Sequence, residues 1–107
     1  MPSRFDVGQL YPLAGHLGTL LVAGGRGVVV SSVVACNTVA TRRRFRLAVA
    51  RAGDVQSDKQ YLYFDTPIPP NDTFVATLGI TLPPGSELRA YSDGGGVAFN
   101  AFHNELS

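Results

Sequence analysis

Hydrophobic residues in this chain come in short runs, each cut off by Gly, Pro, Asn or Asp. Such punctuation predicts strands joined by tight turns. Thr19 to Ala23 reads as a first strand. Gly24-Gly25-Arg26-Gly27 then reads as a turn, since glycine reaches positive φ without steric cost. Val28 to Asn37 is the strongest run: Val28, Val30, Val34 and Cys36 share one parity, while Val29, Val33 and Ala35 share the other. Both sets are apolar, so this strand is expected to be central and covered on both faces. One of those covers has to be a second layer or a partner subunit.

Arg43 to Arg51 alternates cleanly, with Phe45, Leu47 and Val49 on one side and Arg44 and Arg46 on the other. That is the pattern of a half-buried strand. Residues 52–59 form a polar loop. Gln60 to Thr66 follows as a strand, with Tyr61 and Tyr63 opposite Leu62 and Phe64. Pro67 to Asp72 reads as a turn, because proline fixes φ and cannot donate to a ladder. In Thr73 to Leu82, Gly79 is expected to mark a bulge. Glu87 to Ser92 and Val97 to Glu105 complete the series.

No segment has a helical period long enough to bridge parallel strands. The pattern therefore predicts an all-β fold, an antiparallel β-sandwich of about seven to eight strands over residues 18–107. Jelly-roll and immunoglobulin-like orders both fit. Residues 1–17 show no clear period and contain Pro2, Gly8, Pro12 and Gly15, which predicts an extended N-terminal arm.

Composition changes this picture in one respect. Of the 107 residues, 45% are hydrophobic and 16% charged, against about 25% charged in average soluble domains. The deficit suggests that a partner covers some of the surface. The net charge of +1 argues against non-specific nucleic-acid binding. A single cysteine, Cys36, leaves no intramolecular disulfide and is expected as a buried thiol. No signal peptide or membrane span is expected, so synthesis in a reducing cytoplasm is.

Candidate chemistry is sparse. Asp54 and Asp58 share a loop but match no calcium-loop spacing, and His16 and His103 lie far apart. His103 continues the parity of Val97, Phe99 and Ala101, which predicts a packed imidazole. The glycines at 24, 25 and 27 lead into a strand, whereas phosphate cradles lead into a helix. A small hydrolase or lyase would need a clustered metal or acid–base site. The expected class is a structural or binding module, not an enzyme, with no cofactor and no metal. Its candidate partner-binding residues are Arg42, Arg43, Arg44 and Arg46, which suit paired carboxylates, and Tyr61 and Tyr63, which suit stacking.

Several segments together carry a resemblance: Val29 to Asn37, Phe45 to Val49, Lys59 to Asp65, Pro67 to Thr73, Thr77 to Leu82 and Val97 to Phe102. Their order resembles a group of small β-rich structural proteins and modules of tailed bacteriophages, over residues 18–105. The resemblance implies a virion structural protein made in the bacterial host cytoplasm. A capsid decoration or cement protein is the first expectation; a tail, baseplate or fibre component is the second. The implied partners are other virion proteins, major capsid or tail, together with further copies in a homo-oligomer such as a trimer. The group has no catalytic residues to carry over.

Overall fold

The computed structural model describes residues 5–105. Eight strands form: β1 (Phe5–Leu10), β2 (Gly18–Val22), β3 (Val28–Asn37), β4 (Arg43–Arg51), β5 (Tyr61–Ile68), β6 (Thr73–Leu82), β7 (Ser86–Ser92) and β8 (Val97–Glu105). One 3-10 turn, Asp58–Gln60, precedes β5. The strands make two four-stranded sheets, ordered β1-β8-β3-β6 and β2-β7-β4-β5. All pairings are antiparallel.

The order has a simple logic. β4 pairs with β5, β3 with β6, β2 with β7 and β1 with β8, like one long hairpin rolled over a core. Rolling brings β8 beside β3 and β7 beside β4. This is the jelly-roll order; an immunoglobulin sandwich would divide its strands differently.

Phe45, Phe99, Leu47, Ile68, Leu88 and Val30 are fully buried between the sheets. Phe45 is the hub, its ring centroid 5.2 Å from Phe74, 5.8 Å from Tyr63 and 6.1 Å from Phe99. Such aromatic pairs add directional packing to the burial itself. At one corner the buried Asn37 amide donates to the carbonyls of Thr41, Ile68 and Pro69 and accepts from Val39 N–H. It ties the β3–β4 connection to the end of β5.

Three expectations change. The segment expected as an arm, residues 1–17, supplies β1, which pairs with β8 as an edge strand; residues 1–4 lie outside the described residues. Its inward row holds Gly8 where a large apolar residue would signal a strand. A Cβ at Gly8 would lie 2.7 Å from the Leu20 carbonyl oxygen, so glycine lets β1 and β2 close that side of the sandwich.

The β3 parity also changes. Register breaks between Val30 and Ser32 against both neighbours: Ser31 is an extra residue against β8, whereas on the other side it faces both Leu78 and Gly79 of β6. Beyond it the faces exchange: Val33, Ala35 and Asn37 join Val28 and Val30 inside, and Val34 and Cys36 turn outward, half-buried. On β6 the same break holds Gly79 at φ 61°, the expected bulge. Finally, β5 extends through Pro67 to the buried Ile68, which the turn-like composition concealed. Proline is tolerated there because β5 is an edge strand.

Candidate interaction surfaces

The sandwich has two outer faces, and the candidate residues distribute unequally over them. Arg46 projects from β4 on the outer side of the β2-β7-β4-β5 sheet. Its Nε donates to Asp65 Oδ1 at 2.7 Å and its Nη2 to Oδ2 at 3.3 Å. The guanidinium carbon lies 4.1 Å from the Phe64 ring centre, 4.4 Å from Tyr91 and 5.7 Å from Tyr61. Two breaks in the β4–β5 register shape this site, and Asp65 takes a positive φ of 50° at one of them. That local turn aims the carboxylate at Arg46. The bidentate bond holds the Arg46 pKa above its ordinary range, against the cost of partial burial. The same bond, with the charges of Arg46 and Arg44, holds the Asp65 carboxyl below its ordinary value. An open recess of about 400 Å³ adjoins, lined by Asp58, Tyr61 and Phe64.

The other predicted residues do not join this cluster. Tyr63 turns inward and packs its ring on Phe45 and Phe74, because the bulge at Leu62 separates its face from that of Tyr61. Arg43 donates from Nε to the Gly95 carbonyl at 2.9 Å, pinning the β7–β8 loop. Arg42 and Arg44 are exposed. The four arginines therefore form no single patch.

Sequence reading missed a second polar cluster on the same face. Glu87 and Arg89, both on β7, are buried and paired at 3.1 Å. Arg89 also donates to the Asp54 carbonyl at 2.7 Å and to Gln56 Oε1 at 3.2 Å. Glu87 accepts from Thr19 Oγ1 at 2.6 Å and from Gly53 N–H at 3.3 Å. These bonds draw loop 52–59 over the sheet. Burial pushes the Glu87 pKa up, but hydrogen bonds from Thr19, Arg89 and Gly53 outweigh it and hold the carboxyl below its ordinary value. The alternation of Glu87 and Arg89 with Leu88 and Ala90 was visible; that a distant loop covers them was not.

The outer face of the β1-β8-β3-β6 sheet is built differently. Registers place Val29, Val34 and Cys36 of β3 outward beside Ala98 and Asn100 of β8 and Val75 of β6. Val34, Cys36 and Ala98 are half-buried and Val75 is 58% exposed. Threonines 73, 77 and 81 border them on β6, and Gln9 bonds Asn100 at 2.7 Å on the other flank. Among the described residues, no Asp, Glu, Lys or Arg side chain occupies an outward position on this sheet. Cys36 lies on this face, half-buried rather than in the core. His103 keeps its inward parity at the β1–β8 end.

Among the described residues no group of three His, Cys, Asp or Glu could hold a metal ion, and no helix is long and apolar enough to cross a membrane. Comparison with protein-family models, with curated proteins and with solved structures finds no match to this chain.

Proposed function

We propose that this chain is a structural protein of a bacteriophage particle, a capsid decoration or cement protein that acts by contact with other virion proteins. The observation that carries this reading is the uncharged outer face around Val29, Val34, Cys36 and Val75. A four-stranded sheet face without charge is poorly suited to solvent and well suited to a partner's apolar surface. The rigid double-layered core behind it keeps that face in one shape, which favours a fixed lattice contact. The resemblance to small β-rich phage proteins points to the particle as the setting.

A second reading has its own observation. Phe64 is 54% exposed beside Tyr61 and the open recess. Aromatic rings with flanking carboxylates suit a ligand that stacks and hydrogen-bonds, as a tail or fibre component would need for a host glycan.

The test is to label the chain and image purified particles. Regular label over the capsid lattice supports the decoration role. Label confined to the tail moves the chain to the second reading. Particles that lack the chain would overturn both.

A further inference from the structure

A sandwich of two open sheets has four edge strands, here β1 and β6 in one sheet and β2 and β5 in the other. Each edge presents unpaired N–H and C=O groups, and stable monomers blunt them with short strands, proline, charge or bulges. Three of these edges are blunted. β2 has five residues and a register break after Thr19. β5 contains Pro67, Asp65 at positive φ and two register breaks. β1 has only six residues, Gly8 among them. β6 is different. It runs ten residues, Thr73–Leu82, without charge or proline. Its pairing with β3 is regular from Thr73 to Thr77, before the break that contains Gly79.

The hydrogen-bond phase shows which groups this edge offers. Asn37 N–H donates to the Asp72 carbonyl at 2.9 Å, so Asn37 and Asp72 are a hydrogen-bonded pair. In antiparallel ladders such pairs alternate with pairs whose N–H and C=O groups turn away from each other. Cys36–Thr73, Val34–Val75 and Ser32–Thr77 are therefore of the second kind. Thr73, Val75 and Thr77 direct their backbone groups to the free edge, and all three are exposed. The Asp72 carboxylate accepts the Thr73 N–H at 2.7 Å. By this phase the backbone groups of Val75 and Thr77 point away from β3, the one strand that β6 pairs with among the described residues.

We infer that β6 is the pairing edge for a second copy of this chain, joined antiparallel about a two-fold axis at Val75. The segment is self-complementary in that register. Val75 faces its own copy, and Thr73 faces the partner's Thr77. All three pairings fall on residues whose backbone groups point to the free edge, so the ladder forms in phase. Side chains match as well: Val beside Val and Thr beside Thr on the outer face, Phe74 beside the partner's Ala76 on the inner one. The Asp72 carboxylate has to release the Thr73 N–H for the two outer pairings to close, and within Thr73–Leu82 no charge opposes the approach. Pairing makes one eight-stranded sheet and joins the two uncharged faces. The inference stands on the edge alone and does not rest on the particle role.

Sedimentation equilibrium of the full chain tests it. The expected result is a reversible monomer–dimer equilibrium in the micromolar range. Val75→Pro removes an N–H that points away from β3, and Val75→Lys places two ammonium groups together at the axis. Each should weaken the dimer by about tenfold or more and leave the circular dichroism spectrum unchanged. Opposed Cα atoms in a hydrogen-bonded pair lie about 5.5 Å apart, within disulfide range. Val75→Cys in a Cys36→Ser background should therefore oxidise to a covalent dimer. A wild-type chain that stays monomeric or forms trimers would overturn the inference. So would a dimer that neither substitution weakens or an absence of cross-linking.

Discussion

On the β2-β7-β4-β5 sheet, the outer face closes on itself. Arg46 is held by Asp65 and flanked by three rings, and Glu87 with Arg89 is buried beneath loop 52–59. On the β1-β8-β3-β6 sheet, the outward row of Val29, Val34, Cys36 and Val75 lies open to solvent to varying degrees. Both sheets share one core, and each has a second side that the core cannot cover. One side is satisfied from within the chain, by charge pairs and a loop. The other carries neither charge nor cover among the described residues. A sheet face can thus be satisfied within the chain by charge pairs and a covering loop, or left uncharged and open.

This contrast can be broken by substitution. The largest effect is expected on the closed face. Glu87→Ala would strand the buried Arg89 charge and leave Thr19 and Gly53 without their acceptor. Breaking one member of a buried pair costs about 3–5 kcal/mol, to be read from the urea unfolding midpoint.

Acid should act on the same face. The folded pKa of Glu87 lies below its ordinary 4.5, and that of Asp65 below 3.8. The unfolded chain therefore takes up protons first as pH falls. Both carboxylates contribute stability that is fully present above about pH 5 and is lost as pH drops through their folded values. A melting temperature that is level near neutrality and falls below about pH 4.5 is expected. Glu87→Ala should make that fall shallower.

Arg46→Ala should cost less, about 1 kcal/mol, because exposed ion pairs and cation–π contacts are each screened by solvent. At the small end is Val34→Glu on the open face. Its side chain points outward and half into solvent, so the isolated domain should lose under about 1 kcal/mol.

Much of the fold was legible from alternation alone. β3, β4, β6 and β8 have the boundaries that their apolar periods predict. What escaped were places where backbone geometry overrides side-chain pattern. β1 was hidden because Gly8 sits where contact with β2 forbids any larger residue. Ser31 inserts one residue into β3, so Val34 and Cys36 change sides relative to Val28 and Val30. The strand therefore read as apolar on both faces by simple parity, whereas its outward row after the bulge holds Val34 and Cys36, following Val29 before it.

The candidate sites were less legible. Arg46 and Tyr61 could be singled out, but Tyr91 reaches them only through the β4–β7 pairing, and Asp65 only through a bulge. Arg43 resembled Arg44 in sequence, and only the fold of loop 93–96 separates a pinned guanidinium from an exposed one. Such groups meet by topology, which local pattern does not carry.

The most direct test of the open face as the working surface is quantitative binding of the purified chain to phage particles. Wild type, Val34→Glu and Arg46→Ala would be compared by the number of chains retained per particle. The account predicts that Val34→Glu loses binding by about tenfold or more, while Arg46→Ala binds as wild type does. Undiminished binding of Val34→Glu, or loss confined to Arg46→Ala, would contradict it.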